Sequence, residues 1–204
     1  AIAQTEEKKF EVGAQAAVLR LPSRTFTGTG ATVTFNEDSS SSWGFGGRLG
    51  YNFSRNVTVE GEVNFFPQDR VKDGGRKVQA LFGAKVGQRF DKAGIFLKAR
   101  PGFVRLSRGQ YQFSGGCVTV FPPPIGCFQP VATTNFAFDI GGVAELYPSR
   151  NMIIRFDAGD TIVRFRSQRE VAAANDSSAG FVILPAAPET KHNFQASIGV
   201  GIRF

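Results

Sequence analysis

His192 is the only histidine in the 204 residues. A histidine that serves as general base needs a hydroxyl to deprotonate and a carboxylate to orient it. Asp176, Ser177 and Ser178 lie upstream, but their spacing from His192 carries no catalytic signature. His192 opens an alternating segment, HNFQASIGVGIRF, and is read as an interfacial residue at a strand start. Cys117 and Cys127 sit in GGCVTVFPPPIGC. Two readings stand for this pair: a disulfide in an oxidising compartment, or two unrelated thiols. A bridge closing so small a loop stabilises by about 3 kcal/mol in the chain-entropy model. Two cysteines without a nearby histidine make at best half a zinc site. The run GFGGRLG, Gly44 to Gly50, has the look of a phosphate-binding loop, which requires a strand before it and a helix after it. Here an alternating pattern runs straight through, so the glycines are read as space-makers. No catalytic residue, cofactor or metal site is assigned.

The more informative polar set is a group of charges that recur on one parity: Glu11, Arg48, Glu60, Glu62, Lys77, Lys85, Arg89, Lys98, Arg100, Asp139, Glu145, Arg155, Asp157 and Arg203. Eight are basic and six acidic. Gathered in one interior, such charges are tolerable only if paired and hydrogen-bonded. They then form either a salt-bridged plug that holds a shape or the lining of a narrow, weakly anion-favouring pore.

The elements that would gather them are strands. A period of two recurs along the whole chain, and helical periodicity is nearly absent. Eight segments show it, beginning near Lys9, Ser42, Val57, Lys77, Gly94, Asn135, Ile154 and His192. The fifth contains Pro101, which lacks a donor, and a bulge or local break is expected there. In the seventh, Ile154, Phe156 and Ala158 form the apolar set, then Thr161, Val163 and Phe165 do. A bulge near Gly159 is expected to account for that reversal. Short connectors (SRN, DKA, PSR) alternate with long ones, at about 21–41, 67–76, 106–132 and 167–191. All short turns therefore fall at one end and all long loops at the other.

Composition bounds the class. The chain is long enough for one ordinary domain with a core. Its 21 Phe, against 3 Tyr and 1 Trp, are a heavy apolar load, yet mean hydropathy is slightly negative. No run approaches the roughly 18–20 apolar residues of a membrane helix, which leaves membrane strands open. The net charge of +7 is scattered and mixed with acids, without a Lys/Arg-rich tract, so nucleic acid is not an expected partner.

Alternation alone does not say which face is inside. Three features put the polar face inward. That face mixes glycines with charges of both signs, which suits a small barrel's interior. Aromatics cluster at segment ends (Phe10, Trp43, Tyr51, Phe53, Phe65, Phe66, Phe90, Phe136, Phe138, Phe194 and Phe204), as girdles at two interfaces would. From Phe194 to Phe204 is ten steps of about 3.3 Å which, tilted about 40°, span a band of roughly 25 Å. In hydrocarbon every backbone polar group must be paired, so strands span only as a closed barrel.

With its eight segments, its short-turn/long-loop asymmetry and its ending Gly199-Val200-Gly201-Ile202-Arg203-Phe204, the chain resembles the small eight-stranded bacterial outer-membrane β-barrels, the OmpA/OmpX-like family. The resemblance covers nearly the whole chain. It implies an all-β, eight-stranded, antiparallel, up-and-down transmembrane barrel over 9–204, after a short N-terminal periplasmic segment, 1–8. It implies a Gram-negative outer membrane with periplasmic termini and turns and with extracellular long loops. It also implies that Val200, Ile202 and Phe204 resemble the signal read by the barrel insertion machinery. The first residues, AIAQ, resemble the end of a secretory signal, and no peptidoglycan-binding domain is expected after Phe204. Lipid A deacylase barrels carry His-x-Ser on one strand, whereas Phe194 stands two after His192 here. A palmitoyl-transferring barrel would need His, Asp and Ser near the extracellular loops, and the loop residues named above do not establish that.

The expected function is therefore non-enzymatic, structural or interactive, through extracellular loops. The alternatives are a narrow pore, a lipid-modifying enzyme, or a subunit of a larger envelope complex. Arg20, Arg24, Arg70, Lys72, Arg105, Arg108, Arg169 and Lys191 in the long connectors are either clamps for lipopolysaccharide phosphates or ordinary solvated charges. The triple proline Pro122–Pro124 makes either a rigid apolar tip for a protein partner or a loop packed on its neighbours. Expected partners are outer-membrane lipid and lipopolysaccharide, the insertion machinery, and an envelope protein at the loops.

Overall fold

The structure, a computed structural model, describes residues 8–21, 24–27, 34–37, 40–67, 75–113, 128–165, 168–172, 182–186 and 188–204. Among the described residues twelve strands run β1 Phe10–Leu21, β2 Arg24–Thr27, β3 Thr34–Glu37, β4 Ser40–Asn52, β5 Val57–Phe66, β6 Lys77–Arg89, β7 Ala93–Phe113, β8 Phe128–Leu146, β9 Met152–Phe165, β10 Gln168–Ala172, β11 Val182–Ala186 and β12 Glu189–Arg203. Eight of them close an antiparallel barrel in the order β1-β12-β9-β8-β7-β6-β5-β4. β2 pairs with β3, and β10 with β11, as separate two-stranded sheets in the first and last long connectors. The third connector is also partly strand: β7 runs to Phe113 and β8 starts at Phe128, with Gln110–Phe113 paired to Phe128–Val131. The span 106–132 is thus shorter as a loop than the alternation suggests. Beyond a membrane both faces of a strand are wet, so the apolar/polar contrast fades while pairing continues.

The apolar side chains point outward. Leu97 is 74% exposed and Trp43 72%, while Arg100, Arg155 and Lys85 are wholly buried. This inversion of a soluble protein's burial is the order required when the solvent of the outer wall is hydrocarbon. Aromatic rings ride on that wall at both ends; of the aromatics read as girdles, Phe66 is turned inward and buried, as are Phe96, Tyr147 and Phe165 elsewhere in the barrel.

One local expectation is corrected and one is met. No bulge occurs at Gly159, because its ladders to β8 and β12 run through without a shift (Gly159 opposite Gly141 and opposite Gln195). Parity is kept: Arg155, Asp157, Thr161, Val163 and Phe165 all face inward, and Asp160 and Arg164 face outward. What changes is the interior, which turns from charged to apolar toward the long-loop end. Pro101 does break its ladder to β6, where pairing lapses between Leu81–Gly102 and Ala84–Ala99, but the register is the same on both sides. The register shift in β7 lies instead between Leu106 and Gln110.

Candidate functional site

Inward positions of the eight barrel strands fill the lumen in layers. Toward the short-turn end and through the middle lies a continuous ion-pair network. Arg100 of β7 donates to Asp139 at 2.6 Å, Glu62 at 2.6 Å and Glu60 at 3.1 Å. Arg155 of β9 forks onto Glu60, at 2.5 and 2.8 Å, and reaches Asp157 at 2.7 Å. Lys98 lies 3.0 Å from Asp139 and 3.4 Å from Asp157. Lys85 joins Glu11, at 3.1 Å, to Glu145. Arg89 reaches Glu11 at 2.9 Å and accompanies Glu145 at 3.6 Å. Arg48 is the least engaged, 3.9 Å from Asp157. Planar guanidinium forks suit this role because one Arg satisfies several carboxylates with fixed geometry.

Of the fourteen inward charges read from the sequence, eleven are buried in this network. Arg89 is half-buried but joined to it. Lys77 stands apart toward the long-loop end, donating to Ser42 Oγ at 2.6 Å. Arg203 lies at the short-turn end over the Tyr147 ring, 4.1 Å from its centroid. There Tyr147 donates to Glu145 at 2.8 Å and accepts from Arg89 at 3.0 Å. Burial, and then the Glu145 carboxylate, push the Tyr147 phenol well above its ordinary range.

Above the ions sits a neutral layer that charge patterning alone does not reveal. Gln15 donates to Asn64 at 2.8 Å, Asn64 to Gln79 at 2.9 Å, Gln79 to Gln195 at 2.8 Å, and Thr161 to the same Gln195 oxygen at 2.8 Å. The signal available was the matching parity of these amides with the charges. Toward the long-loop end two buried apolar clusters follow: Leu81, Val104, Ala137, Val163 and Phe165, and Ala17, Leu19 and Phe66.

In the closed order β5 stands four places from β9, and β6 four from β12, so each pair faces across the full width of the barrel. Glu60–Arg155 and Gln79–Gln195 therefore cross the lumen at two levels. Glycines of β4 make room for inward side chains of β5: a Cβ on Gly46 would lie 2.1 Å from Asn64 Oδ1, and one on Gly44 2.5 Å from the Phe66 ring.

On the outer wall His192 Nδ1 meets Asp160 Oδ2 at 2.5 Å, both exposed to their surroundings. The sequence reading missed this carboxylate partner because it lies on another strand. Arg20, Arg105 and Arg108 are exposed, and Lys191 pairs with Glu189 at 3.1 Å. Arg70, Lys72, Pro122–Pro124, Cys117 and Cys127 lie outside the described residues, as do the side chains of Arg24 and Arg169. Val200 and Ile202 on β12, and Phe204 just after it, form an outward, exposed row. Among the described residues no group of three or more His, Cys, Asp or Glu side chains could hold a metal.

The family model described as "Outer membrane protein beta-barrel domain" matches residues 1–204. Neisserial surface protein A has a similar crystal structure, with TM-score 0.52 and 14% identity over 96% of this chain and 97% of that one. The solution structure of outer membrane protein H from P. aeruginosa, in DHPC micelles, is similar at TM-score 0.50 and 15% identity, over 96% and 99%. At such identities the likeness concerns the fold. No curated protein sequence matches the chain.

Proposed function

We propose a non-enzymatic structural or interaction role for this chain, which belongs to the outer membrane protein β-barrel family. The family's description makes the outer membrane its compartment. The observation that carries the proposed role is the transluminal pairing. Buried bonds cross the lumen at Glu60–Arg155 and Gln79–Gln195, and an apolar layer lies beyond them. An interior bonded to itself in this way braces the wall. It ties each buried carboxylate to cations, away from acid–base work, and leaves recognition to the parts outside the wall.

The reading places the short turns and both chain ends in the periplasm and the long connectors outside the cell. The paired strands β2–β3 and β10–β11 and the extended arms of β7 and β8 supply a scaffold for recognition there. Lipopolysaccharide phosphates are the proposed ligands of exposed arginines such as Arg20 and Arg105. An envelope protein is the proposed partner of the long connectors, with a disulfide between Cys117 and Cys127 stiffening the third. The insertion machinery is proposed to read Val200, Ile202 and Phe204. On the outer wall Phe194, not serine, follows His192 on its row, which supports the non-enzymatic reading.

Planar-bilayer recording tests the braced interior. A membrane that stays silent through many insertions is the expected result, and discrete current steps would replace this reading with the narrow pore.

A further inference from the structure

We propose that the short-turn rim of the barrel is a binding surface for the phosphate headgroups of anionic phospholipids. The inference rests on the outer wall's facing lipid and is independent of which leaflet the rim meets.

The rim is built by three turns and by the seam between β1 and β12, spaced evenly around the ring: β4–β5, β6–β7, β8–β9 and β12–β1. Each of the four carries a cation. Two turns repeat the same tripeptide, Ser54-Arg55-Asn56 and Ser149-Arg150-Asn151. They are also built alike. Ser54 Oγ accepts the backbone N–H groups of Asn56 and Val57, at 3.3 and 3.2 Å; Ser149 Oγ accepts those of Asn151 and Met152, at 3.4 and 3.2 Å. A serine that caps its own turn fixes the backbone without help from the arginine beside it. The arginine is thereby left at the tip. Lys92 holds the corresponding place in the second turn, and Lys9 stands at the seam.

Arg55, Lys92, Arg150 and Lys9 are all exposed, and among the described residues none has a side-chain ion pair or hydrogen bond. The one exposed acid at this rim, among the described residues, is Asp91. Cations that brace nothing inside the protein are available to a ligand outside it.

Their neighbours say which ligand. Directly below, on the outer wall, Phe204, Phe10, Tyr51 and Phe53 form a run of contacting rings, with centroids 5.9, 5.2 and 5.0 Å apart in turn. Phe90 continues the row at the second turn, 55% exposed. Aromatic rings mark the level where hydrocarbon meets headgroup. A cation one or two residues beyond such a ring lies at the depth of a lipid phosphate, where each Lys or Arg attracts anionic lipid. A soluble anionic polymer would not account for the aromatic row.

The test uses the full chain carrying Trp43→Phe and Phe53→Trp, so that a single tryptophan sits beside Arg55. It is reconstituted into vesicles of phosphatidylcholine and phosphatidylglycerol, with one lipid and then the other brominated, and fluorescence quenching reports which lipid occupies the rim. The expected preference is roughly fivefold for phosphatidylglycerol at low salt, the effect of about one cation per headgroup. It should fall to about one in roughly 1 M salt, where screening acts within about 3 Å. It should fall likewise at low salt when Arg55→Gln, Lys92→Gln and Arg150→Gln are combined. Equal quenching by the two lipids at low salt, or a preference that the triple substitution leaves unchanged, overturns the inference alone. If the triple variant does not fold, the salt series decides, and a salt-insensitive preference overturns it. Quenching by neither lipid would overturn the lipid-facing assignment of the wall as well.

Discussion

Gly141 and Gly142 are covalent neighbours in β8 with opposite surroundings. A Cβ on Gly141 would lie 2.2 Å from the carbonyl oxygen of Ala158 and 2.5 Å from Gly159 Cα, while one on Gly142 would meet nothing within 4 Å. The first faces the lumen beside β9, and the second faces outward. Gly141→Ala should therefore destabilise the barrel by about 1–3 kcal/mol, the usual cost of overpacking. Gly142→Ala should be neutral or stabilise by about 0.5 kcal/mol, since it removes a strand glycine without a clash. Urea unfolding of the two variants in lipid vesicles checks the contrast; equal effects would refute it.

The Glu60–Arg155 tie makes a second prediction. Stranding one partner of a lone buried pair costs about 3–5 kcal/mol; here Glu60 keeps Arg100 at 3.1 Å and Arg155 keeps Asp157 at 2.7 Å. Arg155→Met and Glu60→Met should therefore each cost less than that, about 2–3 kcal/mol. The double variant should lose clearly less than the sum, because the bond between the two is then counted once. A double-mutant cycle by equilibrium unfolding reads the coupling, and additive losses would show that the two act separately.

Outward positions should follow depth. Leu97, 74% exposed on the apolar wall, should cost about 2–4 kcal/mol as Leu97→Arg. Thr134, outward near the long-loop end, should cost at most about 1 kcal/mol as Thr134→Arg. Refolding titrations into vesicles compare the two, and similar costs would argue against a hydrocarbon layer at Leu97.

Tyr147 predicts the alkaline limb of stability. Its folded phenol titrates above the unfolded value of about 10, for the reasons of burial and the Glu145 carboxylate. The folded state thus holds the proton more tightly than the unfolded chain. The resulting stability is complete below about pH 10 and is lost as pH climbs from there through the folded value. Tyr147→Phe should flatten the loss above pH 10 relative to the native chain in an unfolding series. A parallel decline in both proteins would assign the limb to other groups.

The row Val200–Ile202–Phe204 should separate assembly from stability. Phe204→Ala should slow appearance of the folded barrel in cells while changing refolding into vesicles little. Pulse-chase of heat-modifiable mobility measures the first, and a matching defect in purified refolding would make Phe204 a stability residue only.

Much of this architecture was legible in the chain because the two faces of a membrane strand differ so strongly. Leu97 beside Lys98, or Phe138 beside Asp139, declares a wall with unlike sides, and the glycines and mixed charges on one side declare which is narrow. What alternation reports is contrast, not absolute facing. At Val163 and Phe165 the lumen itself becomes apolar while Arg164 reaches the wet rim, so the contrast inverts although the backbone does not, and a bulge at Gly159 was the natural but incorrect inference. Phe66 misleads in the same way. Partners across the lumen were not legible at all: nothing near Glu60 in the chain points to Arg155, because the curvature and stagger of the closed sheet bring them together. The His192–Asp160 pair was hidden because its two residues lie on different strands, β12 and β9, which pair side by side.

The closed order of strands also has a kinetic consequence. Seven of the eight barrel ladders join strands that follow one another around the ring in chain order, and only β1–β12 joins the two extremes, as at Val12 and Ile202. Nearly all pairing can therefore grow hairpin by hairpin at small entropic cost, and one closure carries the cost of the long loop. Until that seam forms, β1 and β12 are open edges in a medium that satisfies no backbone group, so the last ladder to form is also the one whose absence the bilayer penalises most.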